Sequence, residues 1–324
     1  MMELLYLNEG DVTELLDMPE AISVVEEAFL EHGMGRVQMP PKSYLYFPTG
    51  DLRTMPAYLE TAGIAGVKIV NVHPENPEAG LPTVMAVVVL NSIETGAPLA
   101  VMNGTYLTEM RTGAAGGVAA DRLARSDATV VGMVGVGRQA RTQLRAICEV
   151  RSIEAVKITD LSDASCRRFR DDMKDLGCEI TVVDGIRQVC DCDILVTTTP
   201  VREPIVADDW VLDGTHINAI GADAAGKEEL DPTILRRSRI VIDDPAQAFH
   251  SGEVNVPLKL GIISEGDIYG TLGEIVAGIN PGRTDDDEIT VFDSTGLAIQ
   301  DVSTANHVYQ QAVRKGIGTH LKLF

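Results

Sequence analysis

Apolar side chains fall into distinct periodicities along the chain, and each predicts a different kind of structure. Ala21, Val24, Val25, Ala28 and Phe29 recur at three- and four-residue spacing, which places them on one helical stripe. Asp17-Met-Pro-Glu20 supplies an N-cap, a proline in the first turn and the glutamate of a capping box. That helix is expected to run to about His32, before Gly33 and Gly35. From Pro40 to Val101 the pattern changes to strands, expected over 43–47, 52–58, 65–70, 84–90 and 98–102 and separated by turns such as Pro48-Thr-Gly-Asp51. The unbroken run Val84-Met-Ala-Val-Val-Val-Leu90 reads as a strand buried on both faces. Helical spacing returns over 105–124 through Leu107, Met110, Ala114, Ala115, Val118, Ala119 and Leu123. Gly113, Gly116 and Gly117 cost that helix about 1 kcal/mol each relative to alanine, which implies close approach to another backbone or to a ligand.

From Ala128 onward strand and helix alternate. Strands are expected over 128–134, 155–159, 179–183, 194–199, 216–220, 239–243 and 289–292, with a last helix over 297–315. Such alternation implies a mostly parallel, doubly wound sheet with helices on both faces. The strand 128–134 runs into Gly135-Val-Gly137-Arg-Gln-Ala140. In a strand–turn–helix of this kind the first glycine permits the tight turn and the second lets a pyrophosphate approach the backbone. Alanine in the third place allows helix to pack on strand. The expected architecture is α/β: a Rossmann-type domain over 127–301, and a discontinuous α+β domain over 1–126 and 302–324 that the last helix completes.

Composition narrows the partners. Hydrophobic residues at 45% and charged residues at 23% describe a globular chain of 324 residues. The formal charge of -21 argues against a nucleic-acid partner. The acidic excess, with 8 Lys beside 19 Arg, is compatible with a salty cytosol but by itself argues only for solubility. No run of about 18 apolar residues predicts a membrane span, and Met-Met-Glu-Leu-Leu-Tyr lacks the regions of a signal peptide. A cytoplasmic protein is expected. Cys148, Cys166, Cys178, Cys190 and Cys192 form no C-x-x-C pair, so reduced, mostly buried thiols and no metal site are expected. The acidic run Asp285-Asp-Asp-Glu288 reads as a solvated loop.

Several residues can carry chemistry. Asp160 ends the second strand of the βα series, 23 residues past Gly137. There a carboxylate either accepts hydrogen bonds from an adenosine ribose, favouring NAD over NADP, or caps the next helix. Thr197-Thr-Thr-Pro200 and Ile220-Gly-Ala-Asp223 end strands at the same carboxyl edge, where open α/β sheets bind ligands. Gly221 and Ala222 permit close approach to a nicotinamide, and Asp223 projects from that rim or stays a loop residue. Lys68 interrupts an apolar strand, where lysine needs a partner or a task. If alternation puts Val67 and Ile69 on the core face, Lys68 faces solvent or a cleft. Arg53 and Arg111 offer guanidinium forks for a carboxylate, or are surface charges. His73 reads as a loop histidine.

Taken together, Arg53-Thr-Met-Pro56, Val67-Lys-Ile-Val-Asn-Val-His-Pro-Glu-Asn76, Leu81-Pro-Thr-Val84, Leu107-Thr-Glu-Met-Arg-Thr-Gly-Ala-Ala115, Asn218-Ala-Ile-Gly-Ala-Asp223 and Phe292-Asp-Ser-Thr-Gly-Leu-Ala-Ile-Gln-Asp301 resemble the ornithine cyclodeaminase/μ-crystallin family over essentially the whole length. Within it the chain looks most like the alanine dehydrogenase branch known from archaea. The resemblance implies a homodimer joined through the N-terminal sheets. It makes Lys68 the acid/base group, Arg111 a contact to carboxylate and nicotinamide, Thr83 a neighbour of the substrate and Asp223 the carboxylate that acts on the amine. Arg111, Thr112, Gly135, Val136, Gly137, Arg138, Gln139, Asp160, Thr198, Thr199, Ala219, Ile220, Gly221 and Ser294 are the expected cofactor contacts; Arg53, Lys68, Thr83 and Arg111 are those expected for the substrate. Where cyclodeaminases carry a glutamate before the Met-Pro pair, this chain has Arg53. That departure suits simple oxidative deamination. The expected activity is reversible, NAD-dependent conversion of L-alanine to pyruvate and ammonia. The alternatives are ornithine cyclisation to proline, reduction of a ketimine or pyrroline-2-carboxylate, and non-catalytic NADPH binding of the μ-crystallin kind.

Overall fold

The computed structural model describes residues 3–323, so Met1, Met2 and Phe324 lie outside it. The chain forms two compact units, Met1–Arg111 with Leu297–Phe324, and Thr112–Gly296. The expected cuts at 126/127 and 301/302 therefore fall at 111/112 and 296/297. Helix Thr105–Leu123 runs through the first cut, and its second half belongs with helix Arg138–Val150. Built Cβ atoms on Gly113 and Gly117 would meet Thr142 and Ala146, so the glycines serve close helix-to-helix approach. Helix Ala298–Lys315 belongs wholly to the first unit.

In the first unit the strands follow the order Thr319–Lys322, Glu3–Leu7, Pro98–Asn103, Val84–Ser92, Ile64–Val72, Gly50–Leu59 and Val37–Gln38, with Ser43–Phe47 also paired to Gly50–Leu59. Helices Ala298–Lys315 and Met18–Gly33 pack together, and the former covers the middle of this sheet. Asp17 caps the latter as expected, accepting from the Glu20 amide at 2.9 Å.

Because one face is covered, the strands alternate. Arg53, Met55, Ala57 and Leu59, then Ile64, Lys68 and Val70, then Ala86, Val88 and Leu90 are buried, while Val87 is 43% exposed. This corrects two expectations. The run Val84–Leu90 is not buried on both faces. Nor do Val67 and Ile69 face the core; they are half-buried on the opposite side, and Lys68 points inward.

The second unit holds a sheet of eight parallel strands in the order Glu179–Val182, Ala155–Thr159, Val130–Val134, Ile194–Thr197, His216–Ala219, Ile289–Asp293, Ser238–Ile242 and Ile268–Thr271. The chain starts this sheet at Val130–Val134, builds outward on one side, then returns to build the other. Val130–Val134 thus lies at the switch point where such sheets bind ligands beyond their carboxyl ends. Apolar clusters cover both faces, one including Leu144, Ile147 and Phe169, the other Ile234, Leu235, Ala248 and Val254.

Between sheet and helix runs a buried polar chain. His216 bonds Thr290 Oγ1 at 2.9 Å and Asn218 Oδ1 at 3.0 Å, and Asn218 Nδ2 donates to the Gly116 carbonyl at 3.1 Å. Burial, with Arg283 next, lowers His216 to about 3, so it is neutral and structural. Among the described residues no helix is long and apolar enough to cross a membrane.

Candidate active site

Lys68 is 1% exposed, on the same buried face of its strand as Ile64 and Val70. Its amine is held from two helices: Nζ donates to Asp301 Oδ1 at 2.7 Å and lies 3.4 Å from Thr108 Oγ1. Arg111, also buried, donates from Nε to the same Asp301 oxygen at 2.9 Å and from Nη1 to Gln300 Oε1 at 2.9 Å. Two cations therefore share one buried anion. Burial is the largest influence on Lys68 and lowers it; Arg111 lowers it further, Asp301 opposes both, and the result is about 7. Gly66 lies two positions before Lys68, where a Cβ would press on the Val89 carbonyl at 2.7 Å and on Val302 at 3.3 Å. Its missing side chain lets helix Ala298–Lys315 approach.

Arg53 lies on the same buried face, but its fork is engaged. Nε and Nη2 donate to the two oxygens of Asp51 at 2.7 and 3.1 Å, and the guanidinium sits over the Tyr44 ring at 5.5 Å. Thr83 immediately precedes strand Val84–Ser92, its carbonyl accepting from the His73 amide at 2.8 Å. The His73 ring stacks on Phe47.

The second unit presents the glycine turn. Gly135 has φ 82, a left-handed conformation that favours glycine, and a Cβ there would also press on Thr199. Around Gly137 a Cβ would meet nothing, and Gly137 caps helix Arg138–Val150 without a side-chain acceptor. The N–H groups of that first turn, beside open space, fit the pyrophosphate of a dinucleotide. Arg138 is exposed there, and the buried Gln139 Oε1 has no hydrogen-bond partner.

Asp160 braces the two turns on either side of its strand end, and Ser162 rather than Asp160 caps the next helix. Oδ2 accepts from the Val136 amide at 3.0 Å, inside the glycine turn, and Oδ1 accepts from the Ser162 amide at 2.9 Å, at the next helix start. Thr198 Oγ1 donates to the Gly135 carbonyl at 3.0 Å, and the Ser294 amide donates to that of Ala219 at 3.1 Å. The Thr112 carbonyl, facing helix Arg138–Val150, accepts from Gln143 at 2.8 Å. Asp223 is ion-paired with Lys227 at 2.5 Å.

Behind this edge lies a belt of buried carboxylates. Glu229 accepts from the Thr199 amide at 2.7 Å and from the Gly221 amide at 2.8 Å, tying two loops of the carboxyl edge together. Glu253 accepts from the Glu229 and Leu230 amides, and burial, then Glu229, raises it well above the usual carboxylate range. Asp293 ends the strand beside Asp243; burial first and Asp243 second push it up to about 8. Asp243 accepts from the Thr295 and Gly296 amides at 2.6 and 2.8 Å, fixing the turn after Ser294. Among the described residues no group of three or more His, Cys, Asp or Glu is arranged to hold a metal ion.

The sequence profile of the ornithine cyclodeaminase/mu-crystallin family matches residues 2–316. This chain belongs to that family. It is 51% identical over 323 residues to the alanine dehydrogenase of Archaeoglobus fulgidus, with 100% of this chain and 99% of that one covered. The archaeal alanine dehydrogenase dimer with bound NAD has a TM-score of 0.97 to it at 51% identity, with full coverage of both chains. The Δ1-pyrroline-2-carboxylate reductase of Thermococcus litoralis, in complex with NADH and L-proline, has a TM-score of 0.95 at 43% identity, covering 98% of this chain and 100% of that one.

Of the positions that resemblance to this family picks out, Lys68 and Arg111 come together on Asp301. Asp160, Val136 and the loop around Thr198 and Thr199 come together at the glycine turn. Arg53 shares the face of Lys68, while Asp223 lies in the other unit. Asp301, Gln300, Thr108 and Glu229 were not among the expected site residues. The signal for Asp301 was present as an acid inside the apolar face Ile299, Val302, Ala305, where a charge needs a partner.

Proposed function

We propose that this chain is an NAD-dependent amino-acid dehydrogenase that converts L-alanine reversibly to pyruvate and ammonia. The observation that carries the proposal is a fully buried lysine, Lys68, held at Asp301 beside Arg111 and brought to about 7 by burial and Arg111. A group poised there takes and returns protons near neutral pH, as amine oxidation and imine hydrolysis require. The 51% identity to an alanine dehydrogenase supports the choice of substrate.

NAD, when bound, accepts the α-hydrogen as hydride. The rest of the reaction falls to side chains. Arg111, with Arg53, binds the substrate carboxylate and so orients the α-carbon, with Thr83 beside it. Lys68 in its neutral form takes the proton of the substrate ammonium, and with Asp223 it manages the protons of the attacking water and the departing amine. Gly135, Val136, Gly137, Arg138 and Gln139 hold the pyrophosphate at the helix start. Asp160 takes the adenosine ribose and disfavours a 2′-phosphate. Thr112, Thr198, Thr199, Ala219, Ile220, Gly221 and Ser294 border the remainder of the cofactor. The protein works in the cytoplasm as a homodimer; the half-buried Val67, Ile69 and Val89 with the exposed Val87 support an interface on that sheet face.

A second reading is reduction of a cyclic imine, favoured by the 43% identity to a pyrroline-2-carboxylate reductase. There protonated Lys68 supplies the imine nitrogen with its proton. Both readings are tested by Lys68→Met, which is expected to abolish turnover while NADH still binds, followed by its fluorescence. Turnover at the wild-type rate in that variant would sink the assignment.

A further inference from the structure

Helix Ala298–Lys315 enters beneath the first sheet with two polar residues, Gln300 and Asp301, inside an apolar face. Asp301 is 0% exposed, and a buried carboxylate persists only with compensating partners. Its arrangement is lopsided. Oδ1 accepts from Lys68 Nζ at 2.7 Å and from Arg111 Nε at 2.9 Å, while the equally buried Oδ2 has no hydrogen-bond partner. Gln300 Oε1 holds Arg111 from the neighbouring position. One oxygen thus fixes the two cations against each other.

We propose that Asp301 is the positioning residue of this site: by tying the Lys68 amine and the Arg111 guanidinium to one oxygen, it fixes where both point and how readily the lysine releases its proton. The inference rests on the reading of Lys68 as the proton-handling group. Asp301 itself exchanges no proton with substrate.

The charges around Lys68 are few. Helix Thr105–Leu123 contributes Arg111 and the Thr108 hydroxyl, and helix Ala298–Lys315 contributes Asp301. Strand Gly50–Leu59 places Met55 opposite Lys68 and Arg53, paired with Asp51, two positions along; strand Val84–Ser92 places Val88 opposite. Lys42 adds a further positive influence. Among the described residues Asp301 is thus the one carboxylate bonded to the amine, set against cations. Without it the lysine loses its counter-charge and gives up its proton at lower pH.

The test uses the full chain with NAD and two substitutions of opposite expected sign. For L-alanine oxidation, kcat/KM is expected to rise with pH through the Lys68 titration. Asp301→Asn is expected to move that limb down by about one pH unit or more, a tenfold change in the neutral fraction at a fixed pH. Competitive acetylation of Lys68 by acetic anhydride across pH, read by mass spectrometry, follows the same titration without requiring turnover. Its midpoint is expected to fall in Asp301→Asn and to rise in Arg111→Gln, whereas general loosening of the site would move both the same way. A wild-type protein that does not oxidise alanine defeats the proposed function and leaves the acetylation midpoints to decide this inference. An unchanged or raised midpoint in Asp301→Asn overturns it. Should that variant fold poorly, Arg111→Gln decides alone, and a midpoint that fails to rise there overturns it.

Discussion

Lys68→Met is expected to make the protein more stable, and by an amount that depends on pH in a defined way. Lys68 is lowered from 10.5 to about 7 on folding, chiefly by burial. Between those values the unfolded chain holds a proton that the folded chain has released, so stability rises with pH across that window and the whole cost of the charge is felt below it. At about 1.4 kcal/mol per pH unit, the displacement from 10.5 to about 7 corresponds to about 5 kcal/mol. By the same linkage the cost is still nearly complete at pH 6 and falls to about 1.4 kcal/mol at pH 9.5. Methionine fills a similar volume without charge, and Asp301 keeps Arg111 as its partner. The advantage of Lys68→Met over wild type is therefore expected to reach a few kcal/mol at pH 6 and to shrink by roughly 3 kcal/mol by pH 9.5. Urea denaturation of both proteins at the two pH values measures this. A constant offset, or a variant that loses stability relative to wild type more at pH 6 than at pH 9.5, refutes a buried lysine with a strongly depressed pKa.

Two further outcomes are expected. Asp293 is pushed up to about 8, so between about pH 4 and 8 the folded chain keeps a proton that the unfolded chain loses, and stability falls as pH rises through that range. Asp293→Asn mimics the protonated acid, and its stability relative to wild type is expected to grow by a few kcal/mol between pH 5 and 8, a change that parallel denaturation curves would contradict. At Gly221 a Cβ would run into the Thr199 carbonyl and the Glu229 carboxylate. Gly221→Ala is accordingly expected to weaken NADH binding at least tenfold with a loss of stability of about 1–3 kcal/mol, from the displaced Glu229 hydrogen bonds; unchanged binding by titration contradicts that role.

Much of the second unit was legible because its signals are local. The Gly135–Ala140 turn, Asp160 and the alternating strands sit within short stretches whose chemistry follows from spacing alone. The first unit was less so. Lys68 stands out as a cation in an apolar strand, yet Val67, Ile69 and Val70 are apolar on both sides, leaving no alternation to tell which face is inward. Only helix Ala298–Lys315, far along the chain, decides it. Asp301 is hidden for the same reason, its partners Lys68 and Arg111 lying 233 and 190 residues away. Glu229 sits in a Lys-Glu-Glu run that looks like solvated surface. Strand Glu3–Leu7 was missed because it is stabilised by pairing with Pro98–Asn103 and Thr319–Lys322, neither of which is near it in sequence.

Oxidation of L-alanine with NAD is the reaction on which the roles of Lys68, Arg111 and the glycine turn depend. The most direct measurement is NADH formation from NAD over a panel of small L-amino acids, with ammonia and keto-acid determined alongside and ornithine assayed separately for ammonia and proline. Alanine is expected to give NADH, pyruvate and ammonia in equal amounts and ornithine to give no proline. Ammonia and proline from ornithine without net NADH, or no NADH from alanine at saturating NAD, would contradict it.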